Sequence, residues 1–220
     1  MNLPNFDFEY QVHWINSPGY LLAKVPELVQ QETIESLQKL ETGEIEKVDW
    51  RSQLKGHLQE EWKLPIKPHM SFLMESLGKQ YCKEFNIPLE QLFRQYTTQE
   101  KRYDLKLKTL WVNYGQKHDF NPSHCHSGVF SFVIWVQIPY DLEEEVKRYG
   151  PNTNETALFF FDYISPLGKH VRDFVPVTRD WEWRMAFFPS GLNHGVNPFY
   201  TSDDYRISIS GNMYLEEFDS

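Results

Sequence analysis

The second half of the chain is patterned as a succession of β-strands. Apolar runs rich in aromatic and β-branched side chains alternate there with short segments that carry proline, glycine and charged residues. The strands that this pattern predicts are 103–114, 129–138, 157–163, 174–178, 183–188 and 205–214. Strands of this length and spacing are typical of a β-sandwich or a β-barrel.

The first half of the chain changes to helical spacing. Residues 26–40 place apolar side chains at helical intervals, with Pro26 suited to a first turn and Gly43 just beyond the end. Two further helices are predicted, one at 50–62 and a second that begins near Pro68. The side chains that this second helix is expected to bury are Phe72, Leu73, Leu77, Tyr81 and Phe85.

Two shorter segments have patterns of their own. Residues 6–14 alternate between apolar and polar side chains, which predicts a strand with one buried face. Residues 141–149 contain three consecutive glutamates and are expected to form a solvated loop or a short helix between strands.

Length and composition favour one domain with a packed core. A chain of 220 residues, 40% hydrophobic and 16% aromatic, fits a single all-β unit with extensions. We therefore predict one domain over residues 1–220, with a helical support region at about 1–100 and a β core at about 101–220. The predicted fold class is mainly β with N-terminal helices.

Charge and cysteine content narrow the partners and the compartment. The formal net charge of −9 opposes attraction to phosphate backbones and to anionic membranes. The longest apolar stretch, 129–138, is far shorter than the roughly 20 residues that a membrane helix needs. Cys82 and Cys125 are too few and too far apart for a disulfide scaffold, and the acidic N-terminus does not resemble an export signal. A cytoplasmic protein without nucleic-acid or membrane partners is expected.

Candidate metal chemistry lies immediately before the strand at 129–138. His124 and His126 are two residues apart, so in an extended backbone both imidazoles point to the same face and can converge on one ion. A third imidazole, His194, follows the strand at 183–188. Neutral imidazole suits zinc, copper, iron and nickel.

A candidate anion site follows on the last predicted strand. Arg206 and Ser208 share one face of this strand, because they too are two residues apart. A guanidinium fork and a hydroxyl on the same face can bind one carboxylate. Trp111 and Asn113 share a face of the strand at 103–114 and are expected to line the same pocket.

Four motifs together resemble a known family. They are Trp111-Val112-Asn113, NPSHCHSGVF at 121–130, FFPSGLNHGV at 187–196 and RISISGN at 206–212. In this combination the sequence is similar to the iron(II)- and 2-oxoglutarate-dependent oxygenases, and especially to a subgroup common in phages and bacteria. The resemblance covers about half of the chain, from Trp111 to Asn212.

The resemblance implies a fold, a co-substrate and a set of site residues. The fold is a double-stranded β-helix, a jelly roll that holds iron(II) at one open end. By position, His124 would be the first metal ligand and His194 the distal one, while His126 stands where the wider superfamily has a carboxylate. Arg206 and Ser208 would hold the far carboxylate of 2-oxoglutarate, in a pocket that Trp111 and Asn113 complete.

The activity expected from the resemblance is that of a dioxygenase. It would use iron(II), 2-oxoglutarate and O2 to hydroxylate a small-molecule or peptide substrate, with release of succinate and CO2. The substrate, its exact oxidation and the oligomeric state stay open. Two other functions also stay open, namely a three-histidine iron dioxygenase that needs no 2-oxo acid and a non-catalytic jelly-roll binding protein.

Individual residues near the motifs have alternative interpretations. His126 could donate a hydrogen bond to a ligand rather than bind metal itself. Asp119 and Asp162 are the alternative carboxylate ligands if it does. Cys125 should point away from its two histidine neighbours and is expected to be a buried thiol.

Overall fold

Two antiparallel β-sheets pack against each other in this computed structural model, which describes residues 19–53, 56–96, 103–149 and 155–217. The strands are β1 (Leu21–Lys24), β2 (Glu60–Lys63), β3 (Tyr103–Gly115), β4 (Asn121–His124), β5 (Phe130–Gln137), β6 (Phe159–Ile164), β7 (His170–Val175), β8 (Arg184–Pro189), β9 (Asn193–Val196) and β10 (Arg206–Glu217). The helices are α1 (Glu27–Glu41), α2 (Pro68–Glu84), α3 (Leu89–Tyr96) and α4 (Leu142–Tyr149), with short 3₁₀ turns at Arg51–Gln53 and Arg179–Trp181.

The strand order is that of a jelly roll. The major sheet runs β1-β8-β5-β10-β3-β2 and the minor sheet runs β4-β9-β6-β7, with antiparallel pairing throughout. Neighbours in each sheet are mostly distant in sequence, so the chain crosses repeatedly between the sheets. The predicted fold class, mainly β with a double-stranded β-helix and N-terminal helices, is confirmed.

Alternation along the strands gives the major sheet two different faces. On β10, Ile209 and Met213 are fully buried on the outer face, where α1 and α2 cover the sheet with side chains such as Met74 and Tyr81. Burial of an aliphatic side chain of this size contributes roughly 1.5–3 kcal/mol. The inner face meets the minor sheet, and Arg206 and Ser208 lie on it by the same alternation. The helices therefore seal the back of the sheet that carries the pocket.

The predicted helix at 26–40 is confirmed as α1, and the helix near Pro68 is confirmed as α2. The face that α2 buries is partly different from the predicted one. Tyr81 is buried as expected, but Phe72 is 74% exposed, and Met70 and Met74 take the interior positions instead. The buried face of α2 is therefore rotated relative to the predicted one. A weakly amphipathic sequence does not determine by itself which face of a helix is buried.

The predicted helix at 50–62 is wrong. The described part of this segment contains a short 3₁₀ turn and then β2, which pairs with β3 so that Glu61 lies opposite Asn113 and Trp62 opposite Val112. Long-range strand pairing has overridden the helical spacing of the local sequence. The strand predicted at 6–14 lies outside the described residues.

The predicted strands of the second half correspond to β3, β5, β6, β7, β8 and β10. The strand predicted at 174–178 overlaps β7 at two residues only, since β7 runs from His170 to Val175. Four short strands, β1, β2, β4 and β9, and the helix α3 were not predicted. The segment 141–149 is the short helix α4, and one of its glutamates, Glu145, is fully buried and accepts hydrogen bonds from the backbone of Tyr200 and Thr201.

Candidate functional site

Strand pairing in the minor sheet brings three imidazoles together. His124 ends β4 and lies directly opposite His194 on β9, and their ring centroids are 4.5 Å apart. The ring of His126, just after β4, lies 4.9 Å from that of His124 and 5.0 Å from that of His194. One nitrogen from each ring lies within 4.8 Å of the other two. This spacing allows all three to contact a single ion.

Two glycines allow this close approach. A Cβ on Gly195, next to His194, would lie 2.5 Å from the Phe160 ring and 2.7 Å from the Asn121 carbonyl oxygen, so only glycine lets β4 and β9 pair here. Gly128 has a φ of +104° and passes so close to β10 that a Cβ would lie 2.6 Å from the Met213 carbonyl oxygen. The turn that presents His126 depends on that second glycine.

Backbone carbonyls orient two of the rings. The Nδ1 atom of His124 lies 2.7 Å from the carbonyl oxygen of Pro122, and Nδ1 of His194 lies 2.9 Å from that of Leu192. A carbonyl only accepts hydrogen bonds, so both Nδ1 atoms carry the proton and the lone pair of each neutral ring is on Nε2. This is the tautomer in which a histidine binds a metal through Nε2.

The surroundings keep the rings of His126 and His194 uncharged. Burial, together with the neighbouring His124, lowers the pKa of His126 to about 4. Burial, followed by the two neighbouring imidazoles, holds the pKa of His194 well below its ordinary value. Metal binding requires the neutral ring, so these two donors are ready to coordinate at neutral pH. The donor set fits iron(II), for which imidazole is a suitable ligand.

The imidazoles open into a pocket between the two sheets. Aromatic side chains form much of its wall, namely Trp111, Phe132, Trp135, Phe159 and Phe188. The major sheet contributes polar groups, namely Glu61, Asn113, Arg206, Ser208 and Ser210. The sequence-predicted residues Trp111, Asn113, Arg206 and Ser208 therefore share one pocket with the three histidines.

Arg206 is a buried cation without a carboxylate partner among the described residues. Its side chain is 7% exposed, and its guanidinium donates hydrogen bonds to the carbonyl oxygens of Asn197 (3.0 Å) and Asp119 (3.3 Å). The ring of Phe199 lies 5.2 Å from the guanidinium carbon. Carbonyl groups fix the fork in place but leave its charge uncompensated, so an anion in the pocket is expected to bind there.

Asn113 orders the hydroxyls beside Arg206. Its Oδ1 accepts a hydrogen bond from the indole of Trp111 (3.0 Å), which fixes the orientation of the amide. Its Nδ2 then donates to Ser208 Oγ (3.2 Å) and to Ser210 Oγ (3.3 Å). Because both hydroxyls accept from the amide, their own hydrogens are free to point at a ligand.

Glu61 is a pocket residue that sequence reasoning missed. It lies on β2, is 3% exposed and faces the pocket beside Asn113. Burial raises the pKa of this carboxyl to about 7. The only sequence signal is the alternation around it, since Trp62 packs outward against the helices while Glu61 faces inward.

Three other candidates do not join the imidazole cluster. Asp162 pairs with Arg172, whose Nε donates to it over 2.7 Å, and Asp119 accepts a hydrogen bond from the backbone of Gln116. In the part of the chain that the structure describes, the only cluster suited to a metal is the three-histidine one. Cys125, which was expected to be buried, is exposed because the turn after β4 points it to solvent.

Residues 109–212 match a family model described as "Putative 2OG-Fe(II) oxygenase". Among solved structures, a Pseudomonas putida prolyl-4-hydroxylase is similar at 16% identity and a TM-score of 0.51, over 90% of this chain and 93% of that one. OsALKBH1 is similar at 14% identity and a TM-score of 0.51, over 91% of this chain and 98% of that one. These two likenesses concern the fold. No curated protein matches the chain in sequence.

The sheet order and the likeness to solved structures define the class as a jelly-roll protein with a double-stranded β-helix. Within that class, the match of residues 109–212 points to the 2OG-Fe(II) oxygenases, an enzyme family that depends on iron(II) and 2-oxoglutarate. The resemblance read from the four sequence motifs is confirmed. Over the described ranges, no helix is long and apolar enough to cross a membrane.

Proposed function

We propose that the chain is an iron(II)- and 2-oxoglutarate-dependent dioxygenase that hydroxylates a second substrate, with O2 as oxidant and succinate and CO2 as products. One observation carries this proposal. A single pocket contains three clustered imidazoles at one end and, on the opposite sheet, the buried guanidinium of Arg206 without a carboxylate partner among the described residues. This pair of sites suits a ligand that joins a metal-chelating group to a distant carboxylate, as 2-oxoglutarate does.

His124, His126 and His194 would hold the metal. Three protein ligands on one side of an ion leave room on the other side for a chelating 2-oxo acid and for a further small ligand. When bound, iron(II) supplies the redox chemistry that couples decarboxylation of 2-oxoglutarate to oxidation of the second substrate. The protein contributes the geometry, because carbonyls of Pro122 and Leu192 hold two of the rings in the binding tautomer.

Arg206 and Ser208 would bind the distal carboxylate of 2-oxoglutarate. The guanidinium is held by two carbonyls before any ligand arrives, so little side-chain freedom is lost on binding. Asn113 leaves the hydroxyl hydrogen of Ser208 free to donate to the same carboxylate. Trp111 fixes the amide of Asn113 and lines the pocket, with its ring centroid 5.7 Å from that of His126.

The space between the two sites is bounded in large part by apolar side chains. Aromatic rings from both sheets surround it, and His194 itself packs against Phe188, with ring centroids 4.6 Å apart. In such a low-dielectric space the charge of Arg206 acts more strongly on a bound anion than it would in water. This supports specific retention of a dicarboxylate.

The test is turnover of 2-oxoglutarate by the purified protein. Protein incubated with iron(II), ascorbate and 2-oxoglutarate should release succinate above a control from which the metal has been removed. Under anaerobic conditions, addition of 2-oxoglutarate should also change the absorption spectrum of the iron-loaded protein. Iron binding without that spectral change would favour a three-histidine dioxygenase that needs no 2-oxo acid, and absence of iron binding would favour a non-catalytic jelly roll.

The net charge and the strand pairing support proposals about the second substrate, the compartment and the domain organisation. The net charge of −9 disfavours nucleic acid, so we propose a small molecule or a peptide side chain as the second substrate, in the cytoplasm. The support region at about 1–100 and the β core at about 101–220 are proposed to act as one domain, since β1 and β2 of the former are edge strands of the major sheet.

A further inference from the structure

Glu61 is a buried carboxylate that the proposed reaction does not use. Antiparallel pairing places it opposite Asn113, which in turn lies opposite Ser208, so the three residues form a row across the inner face of the major sheet. Directly paired residues point to the same side of a sheet, and the Glu61 side chain accordingly lines the pocket. It is the sole carboxylate among the described residues that line it.

The carboxylate of Glu61 lacks a hydrogen-bond donor within the described ranges. The charged groups that act on it are Arg51, Asp49 and Asp119. Arg51 is already paired with Asp49, to which its Nε and its Nη2 both donate, and both partners are exposed to solvent. The two acids repel a negative charge on Glu61 rather than stabilise it. A buried carboxylate in such surroundings is costly unless a ligand compensates it.

2-Oxoglutarate is not that ligand. Arg206 pairs with Gly115, two residues along β3 from the partner of Glu61, and β3 lies between the two strands. Strand geometry therefore separates the Cα atoms of Glu61 and Arg206 by about 12 Å. A dicarboxylate held by Arg206 would gain nothing from a second carboxylate nearby, because like charges repel. Glu61 must serve another occupant of the pocket.

An aromatic ring borders the space that Glu61 faces. Trp111 is two residues from Asn113 on β3, so it is a diagonal neighbour of Glu61, and both line the pocket. A carboxylate near an indole is a combination that favours a cation, through charge pairing and through attraction to the ring.

We propose that Glu61 binds a cationic nitrogen, an ammonium or a guanidinium group, on the second substrate of the proposed oxygenase reaction. This inference rests on the proposed function and names the chemical class of its substrate. A cation beside Glu61 would favour the ionised carboxyl, whose pKa burial raises to about 7 in the free pocket. Arg206 would then bind the anionic co-substrate and Glu61 the cationic substrate, at separate positions on the inner face of the major sheet.

The experiment compares cationic probes with their neutral analogues. Blocked lysine and blocked norleucine form one pair, and blocked arginine and blocked citrulline form the other. Binding of each is measured by anaerobic calorimetry on protein loaded with iron(II) and 2-oxoglutarate. At least one cationic probe should bind tenfold or more tightly than its neutral twin, and Glu61→Gln should remove that preference.

A matched control is provided by the next residue of the strand. Glu60 carries the same charge but faces away from Glu61 and accepts a hydrogen bond from the Tyr205 hydroxyl. Glu60→Gln should keep the preference for the cationic probe. Equal binding of cationic and neutral probes by the parent, failure of every cationic probe to bind, or a preference that survives Glu61→Gln would each overturn the proposal.

Failure of this inference can be told apart from failure of the proposed function. The anaerobic spectral change on addition of 2-oxoglutarate is measured on the same samples. If the parent and Glu61→Gln both give it while the cationic probes show no preference, the oxygenase function stands and the substrate class is wrong. If the parent does not give it, the proposed function itself fails.

Discussion

The minor sheet holds its imidazoles through backbone carbonyls, whereas the inner face of the major sheet presents charges and hydroxyls that need a ligand. His124 and His194 are oriented by backbone carbonyl oxygens two residues before them, and burial keeps His194 uncharged before any metal arrives. Arg206 and Glu61 are buried with opposite charges and lack a compensating side chain among the described residues. One half of the pocket thus presents oriented donor atoms, and the other half presents buried charges that a ligand would compensate.

This difference predicts different consequences of substitution. At the metal end the protein supplies donor atoms, so removal of a ring removes a bond to the ion. At the opposite end it supplies charge in a low-dielectric wall, so substitution changes the affinity for a ligand and also the stability of the free protein.

The largest effect is expected from loss of a ring. His194→Ala should abolish stoichiometric iron(II) binding, because it removes a donor that no neighbouring side chain replaces in the described cluster. His126→Ala should reduce the affinity by more than the ~100-fold that loss of a mere supporting group costs. Anaerobic titration with iron(II) measures both.

Controls for the metal end come from the same segment. Cys125→Ser changes the exposed residue between two of the ligands and should leave iron affinity unchanged. His126→Asp would restore a carboxylate at that position and should keep the metal. If His126→Ala binds iron as tightly as the parent, the three-histidine assignment is wrong.

The second effect is at the anion site. Arg206→Ala should weaken 2-oxoglutarate binding by about 2–5 kcal/mol, tens- to thousands-fold, because it removes a desolvated charge pair. Iron binding should hardly change, since the rings belong to the other sheet. Calorimetry under anaerobic conditions measures both affinities. The control is Arg172→Ala, which removes an arginine that pairs with Asp162 instead. Equal affinity for 2-oxoglutarate in Arg206→Ala and the parent would remove the basis for a 2-oxoglutarate enzyme.

The histidine and arginine motifs could be predicted because their spacing is local. In a strand, residues two apart share a face whatever the strand pairs with, so His124 with His126 and Arg206 with Ser208 could be recognised from the sequence. Which sheet each pair joins is a matter of long-range pairing. The position of Asn113 between Arg206's strand and β2 depends on such pairing and could be anticipated only as pocket lining.

Glu61 shows why the rest could not be predicted. Trp50, Leu58 and Trp62 fall at helical spacing, and this local pattern led to the wrong helix at 50–62. Pairing with β3 makes the segment an edge strand in which the charged residue faces the pocket and Trp62 faces the helices. Prediction from hydrophobic patterning assumes that acidic side chains face water. It fails where a carboxylate is buried because it lines a binding pocket.

The third effect concerns stability at the Glu61 end. The folded protein holds the Glu61 proton more tightly than the unfolded chain does, since burial raises the pKa from 4.5 to about 7. The cost of burying the charge is therefore absent below about pH 4.5 and grows as the pH rises toward 7. Glu61→Gln should make the ligand-free protein more stable than the parent by about 1–3 kcal/mol at pH 8.

Urea unfolding at several pH values from 5 to 8 measures this difference. The gap between Glu61→Gln and the parent should narrow as the pH falls, because the parent carboxyl is then protonated and resembles the amide. Glu60→Gln separates this effect from the general consequence of removing a negative charge. A gap that is constant with pH would show that ionisation of Glu61 is not what destabilises the free pocket.

The smallest effect tests how Asn113 acts on Ser208, which together with Arg206 is proposed to bind the distal carboxylate of 2-oxoglutarate. Asn113→Ala removes the donor that orients the hydroxyls of Ser208 and Ser210, and it should weaken 2-oxoglutarate binding by about 0.5–1.5 kcal/mol. If Asn113 works by orienting Ser208, its substitution should cost less once that hydroxyl is gone. Calorimetry on Asn113→Ala, Ser208→Ala and the double variant measures this coupling. Strictly additive losses would mean that Asn113 contacts the ligand directly or only supports the strand. Asn113 would then not act by orienting the Ser208 hydroxyl toward the ligand.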